Sequence, residues 1–165
     1  MADIHLVFGR QGAGKTTYSR QLADQADAVR FSIDDWMGEL YAPDLPQPLN
    51  LGWVMERVQR CESRIWATAS QAVQRGTSVV LDLGFIKAGD RARFVSRARE
   101  SGNPVLRHFV TAPLEVRRQR VASRNQDKGE TYAFEVTPGM FDFMERQFEA
   151  PANDELVDCV VFESR

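Results

Sequence analysis

The chain has 165 residues, 43% of them hydrophobic and 27% charged, with a formal net charge of -2. That length suits a single domain with a substantial core, and the charge argues against a generally basic nucleic-acid binder. No apolar run approaches the ~20 residues that span a membrane and the N-terminus lacks a signal-peptide profile, so the expectation is a cytoplasmic protein with no membrane partner.

Ile4-His5-Leu6-Val7-Phe8 reads as a first strand, continuous as in a parallel sheet covered on both faces. It runs into Gly9-Arg10-Gln11-Gly12-Ala13-Gly14-Lys15-Thr16, which fits Gly-x-x-x-x-Gly-Lys-Thr, the P-loop pattern. Its glycines let the backbone bend so that successive N–H groups point inward at a phosphate chain. A helix starting near Gly14 and ending near Asp27 adds its partial positive N-terminus. Nucleotide binding is therefore expected along Gly9, Gln11, Gly12, Ala13, Gly14, Lys15, Thr16 and Thr17. Lys15 reaches the terminal phosphates as a point charge, and Thr16 offers its hydroxyl to Mg²⁺.

Residues 28–33 read as a second strand closing on Asp34-Asp35-Trp36. Ligands of open α/β sheets lie beyond the C-terminal strand ends, so these carboxylates face the P-loop, with helix capping as the alternative role. Residues 41–48 hold Pro43, Pro46 and Pro48 and read as a surface loop. A long helix follows from about Trp53 to Gln74. Its buried face is Val54, Val58, Cys61, Ile65, Ala69 and Ala72; Arg57, Arg60 and Arg64 form a solvated stripe, and Gly76 ends it. Cys61 and Cys159, without metal-type neighbours, read as reduced thiols.

Ser78 to Leu81 forms a third strand that delivers Asp82, a Walker-B-like position for holding Mg²⁺ or, alternatively, a turn residue. The loop Leu83-Gly84-Phe85 leads to a helix from about Gly89 to Glu100 that buries Phe94, Val95 and Ala98. Val105–Val110 is the fourth strand. A helix over 112–124 then places Arg120 and Arg124 on one face. The polar run Asn125 to Glu130 reads as a mobile connection. Thr137 caps the next helix, Pro138 opens it, Met140, Met144 and Phe148 form its apolar stripe, and Pro151 stops it. Leu156 to Phe162 is the last strand. Five strands alternating with helices predict one three-layer α/β domain over residues 1–165.

With the P-loop, Asp34, Asp82 and the paired arginines in place, the chain resembles the small P-loop kinases. This group includes adenylate kinase, gluconate kinase, chloramphenicol phosphotransferase, zeta toxins and the polynucleotide kinase domain. It is most similar to a branch of short "AAA-domain" ATP-binding proteins related to the last three. Ser32-Ile33-Asp34-Asp35-Trp36, Val79-Val80-Leu81-Asp82-Leu83-Gly84-Phe85 and Arg120-Val121-Ala122-Ser123-Arg124-Asn125 carry that likeness over nearly the whole chain. The resemblance implies strand order 2-3-1-4-5 and a short helical lid at about residues 117–138. It also implies that Asp34 is the base that accepts the acceptor's proton, with Asp35 as the other candidate. Arg120 and Arg124 then cover the adenine on one side and neutralise phosphate on the other.

The activity implied is transfer of the γ-phosphoryl group of ATP to a hydroxyl of a small-molecule acceptor. Lys15, Asp34 and Arg124 are its catalytic residues, Thr16 and Asp82 its metal residues, and ATP and Mg²⁺ its cofactors. Trp36, Tyr41, Trp53 and Phe85 either line an acceptor pocket or pack under the proline loop, and Lys87, Arg91 and Arg93 either bind an anion or are solvated. The alternatives are a 5′-hydroxyl polynucleotide kinase of the RNA-repair type, less favoured because it needs a basic channel, and a nucleotide-dependent switch with weak ATPase activity. Adenine comes with the resemblance, since no guanine-reading Asn-Lys-x-Asp stretch occurs. A monomer is the default state.

Overall fold

The structure is a computed structural model that describes residues 1–129 and 135–165. A five-stranded parallel sheet runs in the order β2-β3-β1-β4-β5, built from Ile4–Phe8 (β1), Val29–Ser32 (β2), Val79–Asp82 (β3), Val105–Thr111 (β4) and Cys159–Glu163 (β5). The expected α/β class and strand order hold. β1 lies between β3 and β4, with Leu6 beside Leu81 and Phe8 beside Phe109. Ser32 and Asp82 are partners at the ends of β2 and β3, and Val7 of β1 also pairs with Asp82. The C-terminal strand ends therefore meet along one edge, where the crossovers leave a cleft.

Side-chain alternation splits the core in two. On one face Ile4, Leu6, Phe8, Phe31, Val79 and Leu81 meet Cys61, Ile65, Ala69 and Val73 of α3 (Leu51–Gln74) and Phe94, Val95 and Ala98 of α4 (Ala88–Glu100). On the other, Val7, Val80 and Val110 meet Ala23 and the half-buried Tyr18 and Leu22 of α1 (Lys15–Gln25). The same alternation sets His5 and His108, the only histidines in the chain, side by side on the α1 face. His5 Nδ1 lies 3.0 Å from His108 Nε2, and the Tyr18 hydroxyl 2.8 Å from His108 Nδ1.

Several expected boundaries move, each for a local reason. β2 stops at Ser32, whose hydroxyl accepts the Asp35 N–H at 3.3 Å and caps α2 (Ile33–Leu40). Asp34 and Asp35 thus occupy the first turn of a helix. Within residues 41–48 a 3₁₀ turn forms at Ala42–Asp44. α3 begins two residues earlier than expected because Asn50 caps it, and Val73 is fully buried while Val54, Val58 and Ala72 are half-buried. α5 (Leu114–Asp127) continues through Asn125, Gln126 and Asp127, which are helical rather than a connection. Lys128 closes it in the left-handed region; Glu130 lies outside the described residues.

Thr137 caps α6 (Pro138–Gln147) as expected. Its buried anchor is Phe141, packed on Val121 and Val136, whereas Met140 and Met144 are half-buried. The helix ends before Pro151, and Phe148 joins the main core. A short helix α7 (Asn153–Leu156) replaces the expected start of the last strand. β5 is an edge strand with Val160, Val161 and Phe162 exposed, so the sheet is not covered on both faces there.

Candidate active site

The loop that follows β1 is shaped by its glycines. A Cβ on Gly9 would stand 2.1 Å from the Val110 carbonyl oxygen, and one on Gly12 would stand 2.6 Å from that of Arg117. No side chain fits at either position, so the loop lies flat against β4 and α5. Lys15 extends back along it, its ammonium donating to the Arg10 carbonyl at 3.0 Å. The side-chain Oε1 of Gln11 is buried without a hydrogen-bond partner. Thr16 is half-buried and Thr17 exposed at the start of α1.

Four charged residues from four elements act on one another electrostatically beside this loop. Lys15 comes from α1, Asp34 from α2, Asp82 from β3 and Arg124 from α5. Desolvation, then Asp82, pushes the Asp34 carboxyl above the usual carboxylate range, while Lys15 and Arg124 oppose the shift. Asp34 remains solvent-accessible, so screening moderates that shift. Desolvation likewise holds the Lys15 ammonium below its ordinary value, against the pull of Asp82 and Asp34. The Arg124 guanidinium is lowered by desolvation and held up by Asp34. Cations and carboxylates thus interleave at the mouth of the loop, an arrangement suited to a polyanionic ligand and a transferable proton.

The two arginines expected to act as a pair part company. Arg124 faces Asp34, whereas Arg120 braces the loop, donating to the Gly12 carbonyl at 3.2 Å and to Ser164 Oγ at 2.7 Å. Ser164 donates in turn to the Ala13 carbonyl at 2.6 Å. Behind the loop, Glu145 of α6 accepts from Arg117 Nη1 and Nη2 at 2.7 and 2.8 Å and from Arg10 Nη1 at 3.0 Å. The two guanidinium groups hold the Glu145 carboxyl below its usual value. Asp82 is 6% exposed, and its Oδ2 accepts from Ser19 Oγ and from Arg30 Nη2, both at 2.9 Å.

Arg30, Ser19, Arg117, Glu145 and Ser164 escaped the sequence reading. Each works through partners far away along the chain, and only Ser19, one turn after Thr16, sat where a helix face could have suggested it.

The aromatic residues divide. Phe85 is buried in the core, edge-on to Phe94 at 5.1 Å. Trp36 and Tyr41 are half-buried against the main core. Tyr41 meets Trp53 edge-on at 6.3 Å, and the Arg57 guanidinium stacks 3.7 Å above the Trp53 ring, so Arg57 is not merely solvated. Arg91 is 4% exposed and committed to Glu155 and to the Phe85 and Glu149 carbonyls, which takes it out of any anion site. Lys87 pairs with Glu149 at 3.7 Å and Arg93 with Asp90 at 3.2 Å.

The donor set fits a nucleotide and one hard cation. Glycine-shaped backbone, Lys15 and Arg124 suit phosphate, and the Thr16 hydroxyl with the Asp82 carboxylate suits Mg²⁺, which typically takes only one or two protein ligands beside phosphate oxygens. Among the described residues no group of three or more His, Cys, Asp or Glu is placed to hold a metal, and no helix is long and apolar enough to cross a membrane.

A protein of Chloroflexus aurantiacus J-10-fl has a similar structure, with 16% identity, 98% of this chain and 87% of that chain covered, and a TM-score of 0.74. Chaetomium thermophilum Kti12 in complex with ADP-AlF3 is 18% identical over 97% of this chain and 88% of its own, with a TM-score of 0.68. A sugar kinase from Janibacter sp. HTCC2649 is 17% identical over 98% and 85%, with a TM-score of 0.61. At these identities the likeness is one of fold. A search of curated protein sequences finds no significant match. The family model described as "AAA domain" matches residues 4–151, from the first strand through the loop, both site carboxylates and the arginine helix. The chain belongs to that AAA domain family.

Proposed function

We propose that this chain is an ATP-dependent phosphotransferase with an alcohol group as acceptor, acting as a single P-loop kinase-like domain. The observation that carries the reading is the meeting of Lys15, Asp34, Asp82 and Arg124 at the mouth of the phosphate loop, each altering the proton affinity of another. The Gly9–Thr17 backbone and Lys15 hold the phosphate chain, with Arg120 bracing the loop from outside and Arg124 reaching the transferred group. Thr16 and Asp82 would hold Mg²⁺, which when bound neutralises and aligns the phosphate oxygens.

In the reaction the acceptor oxygen forms a bond to the γ-phosphorus as the bond to the bridging oxygen breaks and ADP leaves. The acceptor proton passes to the Asp34 carboxylate, whose raised affinity for it suits a base. Lys15 and Arg124 cancel charge on the equatorial oxygens, so positioning and electrostatics do most of the work. The lid is assigned to about residues 117–138, of which 117–127 belong to α5 and 130–134 lie outside the described residues. Kinases of known name among the similar folds support the reading.

ADP release from Mg-ATP, with and without pooled nucleosides, sugars, aminoglycosides, phenicols and a 5′-hydroxyl oligonucleotide, tests it. Stimulation by one pool, lost in both Lys15→Ala and Asp34→Asn, is the expected result and names the acceptor class. Stimulation by the oligonucleotide alone, weakening steeply with salt, moves the acceptor to nucleic acid. Absence of stimulation, with slow hydrolysis lost only in Lys15→Ala, replaces the kinase reading by a switch.

A further inference from the structure

We propose that Arg30 is a positioning residue of this site, its guanidinium tying the turn of α2 that carries Asp34 to the buried Asp82 and to Ser19 behind the phosphate loop. The proposal rests on the phosphotransferase reading for its catalytic consequence, but not for its structural one.

Arg30 stands in β2, at the edge of the sheet, where a charged side chain would ordinarily be solvated. Instead its side chain is 11% exposed and its fork is shared among three elements. Nη2 donates to Asp82 Oδ2 of β3 at 2.9 Å, Nε to Ser19 Oγ of α1 at 2.7 Å, and Nη1 to Asp35 Oδ2 of α2 at 3.0 Å. Ser19 Oγ also lies 2.9 Å from Asp82 Oδ2 and 3.1 Å from the Thr16 carbonyl, so the network reaches the residue after the P-loop lysine.

A buried ion pair of this kind is a poor source of stability compared with well-packed apolar side chains. Registry is what it can supply. Arg91 and Arg117 are more deeply buried still, yet their carboxylates, Glu155 and Glu145, lie outside the four-charge cluster. Arg30 instead joins Asp82 of that cluster to the neighbour of Asp34.

The two ends of the tether differ. The Asp82 side chain is 7% exposed and that of Asp35 52%, so one anchor is fixed and the other is open to solvent. Successive helix residues project about 100° apart, so holding Asp35 fixes the direction of Asp34 in the same turn. A lysine keeps the charge but not the planar fork, and cannot hold three acceptors in one plane.

Arg30→Lys tests the tether, with Asp35→Asn as a variant that cuts only the exposed arm and leaves the buried pair intact. Amide hydrogen exchange over residues 33–40, affinity for a fluorescent non-hydrolysable Mg-ATP analogue, and kcat against nucleotide KM are measured. In both variants α2 is expected to exchange about tenfold faster while the strands keep their protection. Analogue affinity stays within about threefold, and kcat falls about 10–100-fold at unchanged nucleotide KM. Wild-type exchange over 33–40 in both variants overturns the proposal, and so does a loss of kcat in Arg30→Lys with α2 protection intact. If no acceptor stimulates the wild type, the phosphotransferase reading fails by itself and the exchange data still decide the role of Arg30.

Discussion

The phosphate loop and the α5–α6 pair border the same cleft and are held by different forces. The loop is fixed by backbone against backbone: Gly9 on the Val110 carbonyl, Gly12 on that of Arg117, with β1 fully buried beneath. The α5–α6 pair is held by ion pairs, Glu145 shared between Arg117 and Arg10 and Asp142 with Arg118, over a small apolar cluster of Val121, Val136 and Phe141. Steric contact leaves a single arrangement, whereas an ion network can open and reform. On the phosphotransferase reading proposed above, this makes a rigid cradle under a releasable cover, the division a site needs when it must both grip a polyanion and let it go.

The largest effect expected on that cleft is chemical. Asp34→Asn should lower kcat about 100-fold or more and keep nucleotide affinity within about threefold, by steady-state kinetics with the acceptor in hand. Normal turnover would remove Asp34 as the base. Gly9→Ala sets a methyl against the Val110 carbonyl and should destabilise the fold by roughly 3 kcal/mol or more in urea titrations. A neutral result would show that the cradle is not sterically fixed.

Glu145→Ala strips the carboxylate from Arg117, which is 4% exposed, and should cost about 3 kcal/mol, with faster amide exchange in α6 than in β1. Equal exchange in the two elements would break the contrast between cover and cradle.

The α1 face of the sheet, beneath the loop's helix, offers a pH test. Burial, then His5, lowers His108 to about 4, so the folded protein excludes a proton that the unfolded chain binds below about 6.5. Unfolding free energy should therefore rise with pH from about 4 to about 6.5, by up to roughly 3 kcal/mol, and flatten above. A His108→Gln variant that retains the full slope would assign it to other groups. At the small end, Arg60→Ala removes an exposed i,i+4 pair with Glu56 and should move stability by less than about 0.5 kcal/mol in thermal melts.

What the sequence revealed followed the range of the forces involved. β1, the loop and α1 are consecutive, so strand pattern, glycine spacing and helix start could be read together. Asp82 was placed because it ends a strand. α2 was missed because Phe31-Ser32-Ile33 looked like continuing strand, although Ser32 with Asp35 three residues on is a capping pattern that could have flagged it. Arg30 and Glu145 left no local mark, their partners Asp82 and Arg117 being 52 and 28 positions away. The exposure of β5 was hidden for another reason: Cys159-Val160-Val161-Phe162 is as apolar as an inner strand, and composition does not tell an edge from a centre.

The Ser164 hydroxyl on the Ala13 carbonyl closes a contact across 151 positions of chain. Its consequence belongs to biosynthesis. The loop that carries the most recognisable motif is made well before Ser164, so its Ala13 carbonyl finds this partner only after residue 164 has been added. At ordinary elongation rates that interval is about 10–30 s. β1 meanwhile waits for β3 on one side and β4 on the other, so the phosphate loop of a nascent chain stays unfinished until those strands and Ser164 have been made.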